Sequence, residues 1–292
     1  MPESSIRIGI IGGSGLYKMP ELTDIEERQI NTPFGRPSDA IIIGTLRGVR
    51  IAFVPRHGRG HVLMPSEVPY CANIYALKLL GVEQVISVSA CGSLREDYRP
   101  GNIVIPDQLY DHTKEDRRKR TFFGEGLVAH ASVASPFCAE LSEIVAKGVE
   151  EAGGTARRGG AAITIEGPRF STKAESNVYR AWGMSVIGMT ASPEAFLARE
   201  AEMCYAVMAH VTDYDVWHES AEPVTVEMVL QTFGKNLELA QQALVRIIPA
   251  LAGAECVCEC RSAMAHAVIT DKTKIPQEAR KRLDLLIGKY LD

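Results

Sequence analysis

The 292-residue sequence predicts an α/β protein, a sheet covered by helices on both faces. Three observations predict it. Short apolar, β-branched runs alternate with stretches of helical spacing along the whole chain. No internal repeat and no Gly/Ser- or Pro-rich linker interrupts that alternation. The apolar runs also end in clusters of Gly, Ser, Thr and charged residues, and ligands of such sheets bind beyond the strand ends, so the clusters read as one site. With 46% hydrophobic and 23% charged residues the composition is that of an ordinary globular protein with ample core, and residues 1–292 read as a single domain.

Taken in order, residues 6–11 form the first strand, ending in Gly12-Gly13-Ser14-Gly15, and residues 51–54 another, followed by Pro55-Arg56-His57-Gly58. Ser66 and Glu67 mark the start of a helix that Gly81 ends. Residues 84–88 are a β-branched strand that stops at Ser89-Ala90-Cys91-Gly92-Ser93; Pro100-Gly101-Asn102 is a turn and residues 103–105 a strand closed by Pro106. Residues 138–152 have helical spacing, and residues 161–165 are a strand leading into Glu166-Gly167-Pro168-Arg169-Phe170. After a strand at 186–189, Ser192-Pro193-Glu194 has the composition of an N-cap, a first-turn Pro and a first-turn acid, opening a helix to about Met203. An apolar strand at 205–209 then runs towards Asp213 and Asp215. Thr225 caps a long helix with apolar positions at Val226, Val229, Leu230, Phe233, Leu237, Leu244 and Ile248, and residues 276–291 form a last amphipathic helix.

A net charge of −4 argues against a nucleic-acid partner, and the basic run at residues 114–120 reads as a solvated loop because no aromatic stacking pattern accompanies it. The N-terminus has no signal-peptide pattern and no segment approaches eighteen uncharged apolar residues, so a cytoplasmic protein without a membrane partner is expected. Of the seven cysteines, Cys71, Cys91, Cys138 and Cys204 sit singly in apolar contexts, as packing cysteines do. The Cys256-x-Cys258-x-Cys260 spacing matches no paired zinc knuckle, which argues against a structural zinc and leaves a local disulfide or reactive thiols open.

The chemistry lies in four clusters. Gly12-Gly13-Ser14-Gly15 fits neither the dinucleotide fingerprint nor the P-loop and leaves a turn able to close around an oxyanion, or a plain tight turn. Arg56-His57-Gly58-Arg59-Gly60-His61 matches a phosphate grip, with a solvated basic loop as the alternative. A metal pair of His57 and His61 needs a helix that Gly58 and Gly60 discourage. Ser89-Ala90 and Met189-Thr190 end strands where hydroxyls and amides can reach a ligand. Asp213 and Asp215, at i and i+2, face one side of an extended backbone and could enter one cavity.

Several motifs occur in a family's order: Gly12-Gly-Ser-Gly-Leu16, Thr32-Pro-Phe-Gly35, Arg56-His-Gly58, Met64-Pro-Ser66, Ala90-Cys-Gly-Ser-Leu-Arg95, Thr164-Ile-Glu-Gly-Pro-Arg-Phe-Ser171, Pro193-Glu194 and Thr212-Asp-Tyr-Asp215. From about Ile6 to Leu251 the chain resembles S-methyl-5′-thioadenosine phosphorylases. The resemblance implies a three-layer αβα, purine nucleoside phosphorylase-like fold with a central mixed β-sheet, a homotrimer, and no metal or cofactor, inorganic phosphate being a co-substrate. The implied reaction converts methylthioadenosine and phosphate to adenine and 5-methylthioribose 1-phosphate. By position, Ser14, Arg56, His57, Ser89, Ala90 and Thr190 would bind phosphate, and Met189 would pack under the ribose. Phe170 and Ser171 would border the base, with Asp213 and Asp215 at its N7 and 6-amino edge. His61, Val226, Val229 and Leu230 would line the methylthio end, joined by His130 from a neighbouring subunit. Ser14 and Ser89 stand where many relatives have threonine, and the residue of the family's C-terminal pocket has no clear counterpart. A nucleosidase using water, a non-catalytic nucleotide sensor and a dinucleotide oxidoreductase are the rival readings.

Overall fold

The computed structural model describes residues 6–13, 15–114, 120–219, 226–254 and 257–291, with 226–235 as helix backbone only. Ser14, Thr225, Cys256, residues 115–119 and the side chains of Val226, Val229, Leu230 and Phe233 therefore lie outside the described residues.

The centre of the sheet is parallel and apolar. Strands β1 (Ile8–Gly12), β4 (Val49–Pro55), β5 (Gln84–Ser93) and β11 (Cys204–Asp213) lie side by side in the order β4-β1-β5-β11. Buried on both faces, β1 and β11 read as near-continuous hydrophobic runs, as parallel strands under helices do. Beyond β4 the hairpin of β2 (Leu22–Arg28) and β3 (Ile41–Leu46) continues the sheet antiparallel. On the other side it branches. Strand β10 (Met184–Gly188) joins β5 antiparallel and carries β9 (Ala161–Ile165) and β7 (Gln108–His112), while β6 (Ile103–Ile105) and β8 (Ala156–Arg158) extend β11.

Alternation along the strands builds two cores. Ile11, Val54, Val85 and Val207 face helices α1 (Tyr70–Leu79), α4 (Ala191–Glu200) and α6 (Gln277–Ile287). Their sequence neighbours Ile10, Phe53, Ile86 and Ala206 face α2 (Ala139–Glu151) and α5 (Val226–Gly253). The three layers and mixed sheet are those the resemblance implies.

Several local expectations are corrected. β5 does not stop at Val88 but runs through Ser93, because β11 and then β10 supply partners for its small polar residues. Ser66 and Glu67 belong to a 3-10 turn in which the Glu67 carboxylate accepts from the Met64 amide at 2.9 Å, and α1 begins only at Tyr70. The helix after Pro193 ends at Glu200, before Met203. Arg120, the described end of the basic run, is not solvated: it donates to Asp111 and Ser192 at 2.9 and 2.7 Å. α3 (Lys173–Ala181) was not anticipated, although Thr172 and Glu175 form its capping box.

Candidate active site

The branch in the sheet makes the cavity. Strand β1 follows β5 as far as Ser87, and β10 joins β5 at Gly92, so residues 88–91 lie between the two partners. A cavity of about 310 Å³ opens there, lined by those residues, by the ends of β10 and β11, and by the loop after β4. Its size suits a nucleoside-sized ligand. Arg56 and Asp213 open into this same space.

Arg56 is held more tightly than a free anion clamp. Only 2% exposed, it meets Glu194, which is 0% exposed, through Nε at 2.5 Å and Nη2 at 3.1 Å. Nη2 also donates to Ser87 Oγ at 2.6 Å and Nη1 to the Val88 carbonyl at 3.1 Å. Burial works against the guanidinium charge, and the Glu194 carboxylate more than offsets it, holding the pKa above its ordinary value. Ser87 and Tyr205 hydroxyls donate to the same carboxylate at 3.1 and 2.9 Å. With the other N–H groups occupied, a single Nη1 hydrogen of the guanidinium is left for the cavity.

His57 points Nδ1 at the Leu63 carbonyl, 2.9 Å away, so Nδ1 carries the proton. Burial, with Arg56 and His61 nearby, lowers its pKa to about 4. The neutral ring offers Nε2 as an acceptor; to donate to an anion it must first gain a proton, which an arriving dianion would favour. His61 stacks on it at 4.3 Å between ring centroids, in a turn and not a helix.

The two acids share the opposite end, but not by strand alternation. β11 ends at Asp213 with a register shift, and Asp215 has φ +52°. A turn sets the pair: the Asp215 amide donates to Asp213 Oδ1 at 2.7 Å. Burial raises the pKa of both. Thr212 Oγ lies 2.6 Å from Asp213 Oδ2 and 3.2 Å from the Cys91 carbonyl. Its one proton can go to Asp213 when that acid is ionised, or to Cys91 when Asp213 is protonated, so both states are satisfied. By distance, Asp215 Oδ2 and the Ser171 hydroxyl are buried with no hydrogen-bond partner among the described residues, although the Ser176 hydroxyl is near enough to Asp215 to favour its charged form. Gly92 leaves the acids room, since a Cβ there would stand 3.0 Å from Asp213 Oδ1 and 3.2 Å from Asp215 Cβ.

Residues 7–249 match the phosphorylase superfamily. The chain belongs to that superfamily. Among phosphorylase relatives, the S-methyl-5′-thioadenosine phosphorylase of Geobacter sulfurreducens is 54% identical, over 97% of this chain and 99% of its own. That of Gloeobacter violaceus is 53% identical over 97% and 96%. A crystal structure of a methylthioadenosine phosphorylase from an antarctic soil metagenomic library superposes with a TM-score of 0.92 at 45% identity, covering 97% and 99% of the two chains. Methylthioadenosine phosphorylase from Schistosoma mansoni in complex with adenine superposes at 0.82 with 36% identity, covering 89% and 96%.

The phosphorylase cavity gathers most of the predicted residues: Arg56, His57, His61, Ser89, Ala90, Phe170, Ser171, Met189, Thr190, Asp213 and Asp215 line it. His130 does not; it is exposed, its amide bonded to the Ala267 carbonyl at 2.8 Å. Ser14 and the side chains of Val226, Val229 and Leu230 are outside the described residues. Glu194, by sequence a first-turn acid, is the partner of Arg56. Thr212, the proton partner of Asp213, and Gly92 were passed over as well, though both lie inside the quoted motifs.

Proposed function

We propose that the chain, acting as a single nucleoside phosphorylase domain, catalyses phosphorolysis of S-methyl-5′-thioadenosine to adenine and 5-methylthioribose 1-phosphate. The observation that carries this is the placement of the buried Asp215 and Arg56, with the half-buried Asp213 and His57 beside them, around one cavity.

At the acid end, the purine departs well only if charge on its ring is neutralised as the sugar becomes oxocarbenium-like. Asp213, with burial favouring its protonated form, gives a proton to N7 while the C1′–N9 bond breaks. Thr212 turns its hydroxyl towards the carboxylate left behind. The unpartnered Oδ2 of Asp215 accepts from the 6-amino group. A 6-oxo purine would set acceptor against acceptor, at a cost on the order of 1–3 kcal/mol.

At the other end a phosphate oxygen bonds to C1′. The remaining Nη1 hydrogen of Arg56, His57, the Ser89 and Thr190 hydroxyls, the Ala90 backbone and Ser14 hold the phosphate, whose charge stabilises the developing cation. Met189 sits beneath the ribose, Phe170 and Ser171 border the base, and His61, Val226, Val229 and Leu230 face the methylthio group. The reaction needs no cofactor and no metal. His130, which does not line the cavity of its own subunit, completes that of a neighbouring subunit in a homotrimer. The setting is cytoplasmic purine and methionine salvage; among the described residues no helix is long and apolar enough to cross a membrane.

The test is adenine release from methylthioadenosine with and without inorganic phosphate, beside adenosine, inosine and methylthioinosine. Release that requires phosphate and favours methylthioadenosine is expected. Equal release without phosphate would make the protein a nucleosidase.

A further inference from the structure

Four cysteines from three separate parts of the chain meet at the other end of β11 from the two aspartates. Cys138 is the N-cap of α2, Cys204 opens β11, and Cys258 and Cys260 belong to the 3-10 turn that follows α5. Their four Sγ atoms all lie within 4.8 Å of one another, with Cys204 and Cys258 3.3 Å apart. Cys138, Cys204 and Cys260 are buried and Cys258 is half-buried.

Three kinds of cluster could produce this. Packing thiols need only apolar neighbours, and nothing in that role draws four sulfurs to one point. Two disulfides need two S–S bonds of about 2.05 Å and place no demand on the distance between the two pairs. A tetrahedral tetrathiolate site requires all four to be mutual neighbours: with metal–sulfur bonds of about 2.3 Å, the sulfurs stand roughly 3.8 Å apart. The last matches the observed arrangement with little movement.

The surroundings favour thiolates. Arg199 Nη1 donates to Cys260 Sγ at 3.3 Å, the kind of outer contact that orients a ligand and offsets its charge. Cys138 lies at the positive end of the α2 dipole. Neither feature serves a neutral packing cysteine.

We propose that Cys138, Cys204, Cys258 and Cys260 bind one zinc ion as a closed structural site. Zinc takes the four sulfurs as thiolates, their protons pass to solvent, and nothing is oxidised or reduced. All four positions are filled by protein, so the ion has no place for substrate. It ties the segment behind α5 to the starts of α2 and β11. The nine residue steps from Cys204 to Asp213 span roughly 30 Å of strand, so the ion acts on stability and not on turnover.

The experiment uses the full chain, purified under reductant, exposed to zinc and dialysed. About one equivalent of zinc per chain is expected, with zinc–sulfur distances of about 2.3 Å by X-ray absorption. Cobalt substitution should show thiolate charge-transfer and tetrahedral ligand-field bands. In Cys258→Ser/Cys260→Ser, retained zinc should fall at least about tenfold and the melting temperature should drop, while kcat measured well below the melting temperature stays unchanged. If that variant does not fold, the absorption and cobalt spectra of the unaltered chain still decide. Zinc-free protein with four titratable thiols at these positions, disulfides among them without zinc, or a zinc shell of nitrogen and oxygen would each overturn the proposal.

Discussion

The two ends of β11 carry ionisable groups in opposite conditions. At its start, Cys204 lies in a group of four sulfurs all within 4.8 Å of one another, and Arg199 donates to one of them, Cys260. At its end, Asp213 is half-buried and Asp215 buried, yet one carboxylate oxygen of Asp215 and the nearby Ser171 hydroxyl are left without partners among the described residues. A buried group whose needs are met from within the protein holds the fold together. One that is unmet and also lines the cavity stands open to a ligand, because leaving it unpaired costs about 1–3 kcal/mol that a bound partner can return. The Arg56–Glu194 pair sits at the cavity but belongs mostly to the first kind.

Breaking that pair is the severest test. Glu194→Gln leaves a buried guanidinium without its countercharge, and stability should fall by about 3–5 kcal/mol, read from urea unfolding midpoints. A loss under 1 kcal/mol would mean that Arg56 does not depend on Glu194 and is free to clamp an anion after all.

Next in size is Asp213→Asn. Turnover should drop by about two orders of magnitude, or about 2.7 kcal/mol of barrier, with little change in unfolding midpoint. The split between rate and stability is what an open, functional end requires. Near-normal turnover would take the acid role away from Asp213. Smaller again is Asp215→Asn, which replaces an acceptor by a group that can donate. Discrimination between 6-amino and 6-oxo nucleosides, measured as a ratio of kcat/KM, should shrink by about ten- to a hundredfold. An unchanged ratio would remove Asp215 from the base edge.

What could be read in the sequence follows the same division. The strands β1, β4, β9 and β11 announce themselves as apolar runs, and the polar clusters read at their ends as one site do meet in one cavity. β2 was missed because a mostly exposed edge strand, Leu22–Arg28, carries charges where a strand pattern expects apolar residues. The end of β5 was misplaced because Ser89 to Ser93 is stabilised by partners far away in the chain. Distance in sequence also hid the sulfurs. Spacing rules compare neighbours such as Cys256, Cys258 and Cys260, whereas Cys204 and Cys258 are 54 residues apart and meet only in the fold. The partnership of Arg56 with Glu194 was hidden in the same way, by 138 residues.

Between the two ends of β11 lies His210, and it sharpens the comparison most finely. It is 1% exposed, and neither ring nitrogen has a partner among the described residues. Unlike Asp215 it does not line the cavity, so no ligand is at hand to satisfy it. Burial lowers its pKa from 6.5 to about 4. Between those values the unfolded chain binds a proton that the folded chain refuses, so stability must fall as the pH drops from 6.5 towards 4 and level off below. The slope belonging to one such histidine is about 1.4 kcal/mol per pH unit. His57 adds a contribution of the same sign, and Asp213 and Asp215, raised by burial, oppose it. All three remain in His210→Leu, so subtracting the two unfolding profiles isolates His210. The variant should lose one histidine's share of the acid slope and gain stability near pH 4 relative to the unaltered chain. Parallel profiles would mean that His210 reaches water or a partner in the folded protein, and that an unmet buried group in β11 marks the cavity alone.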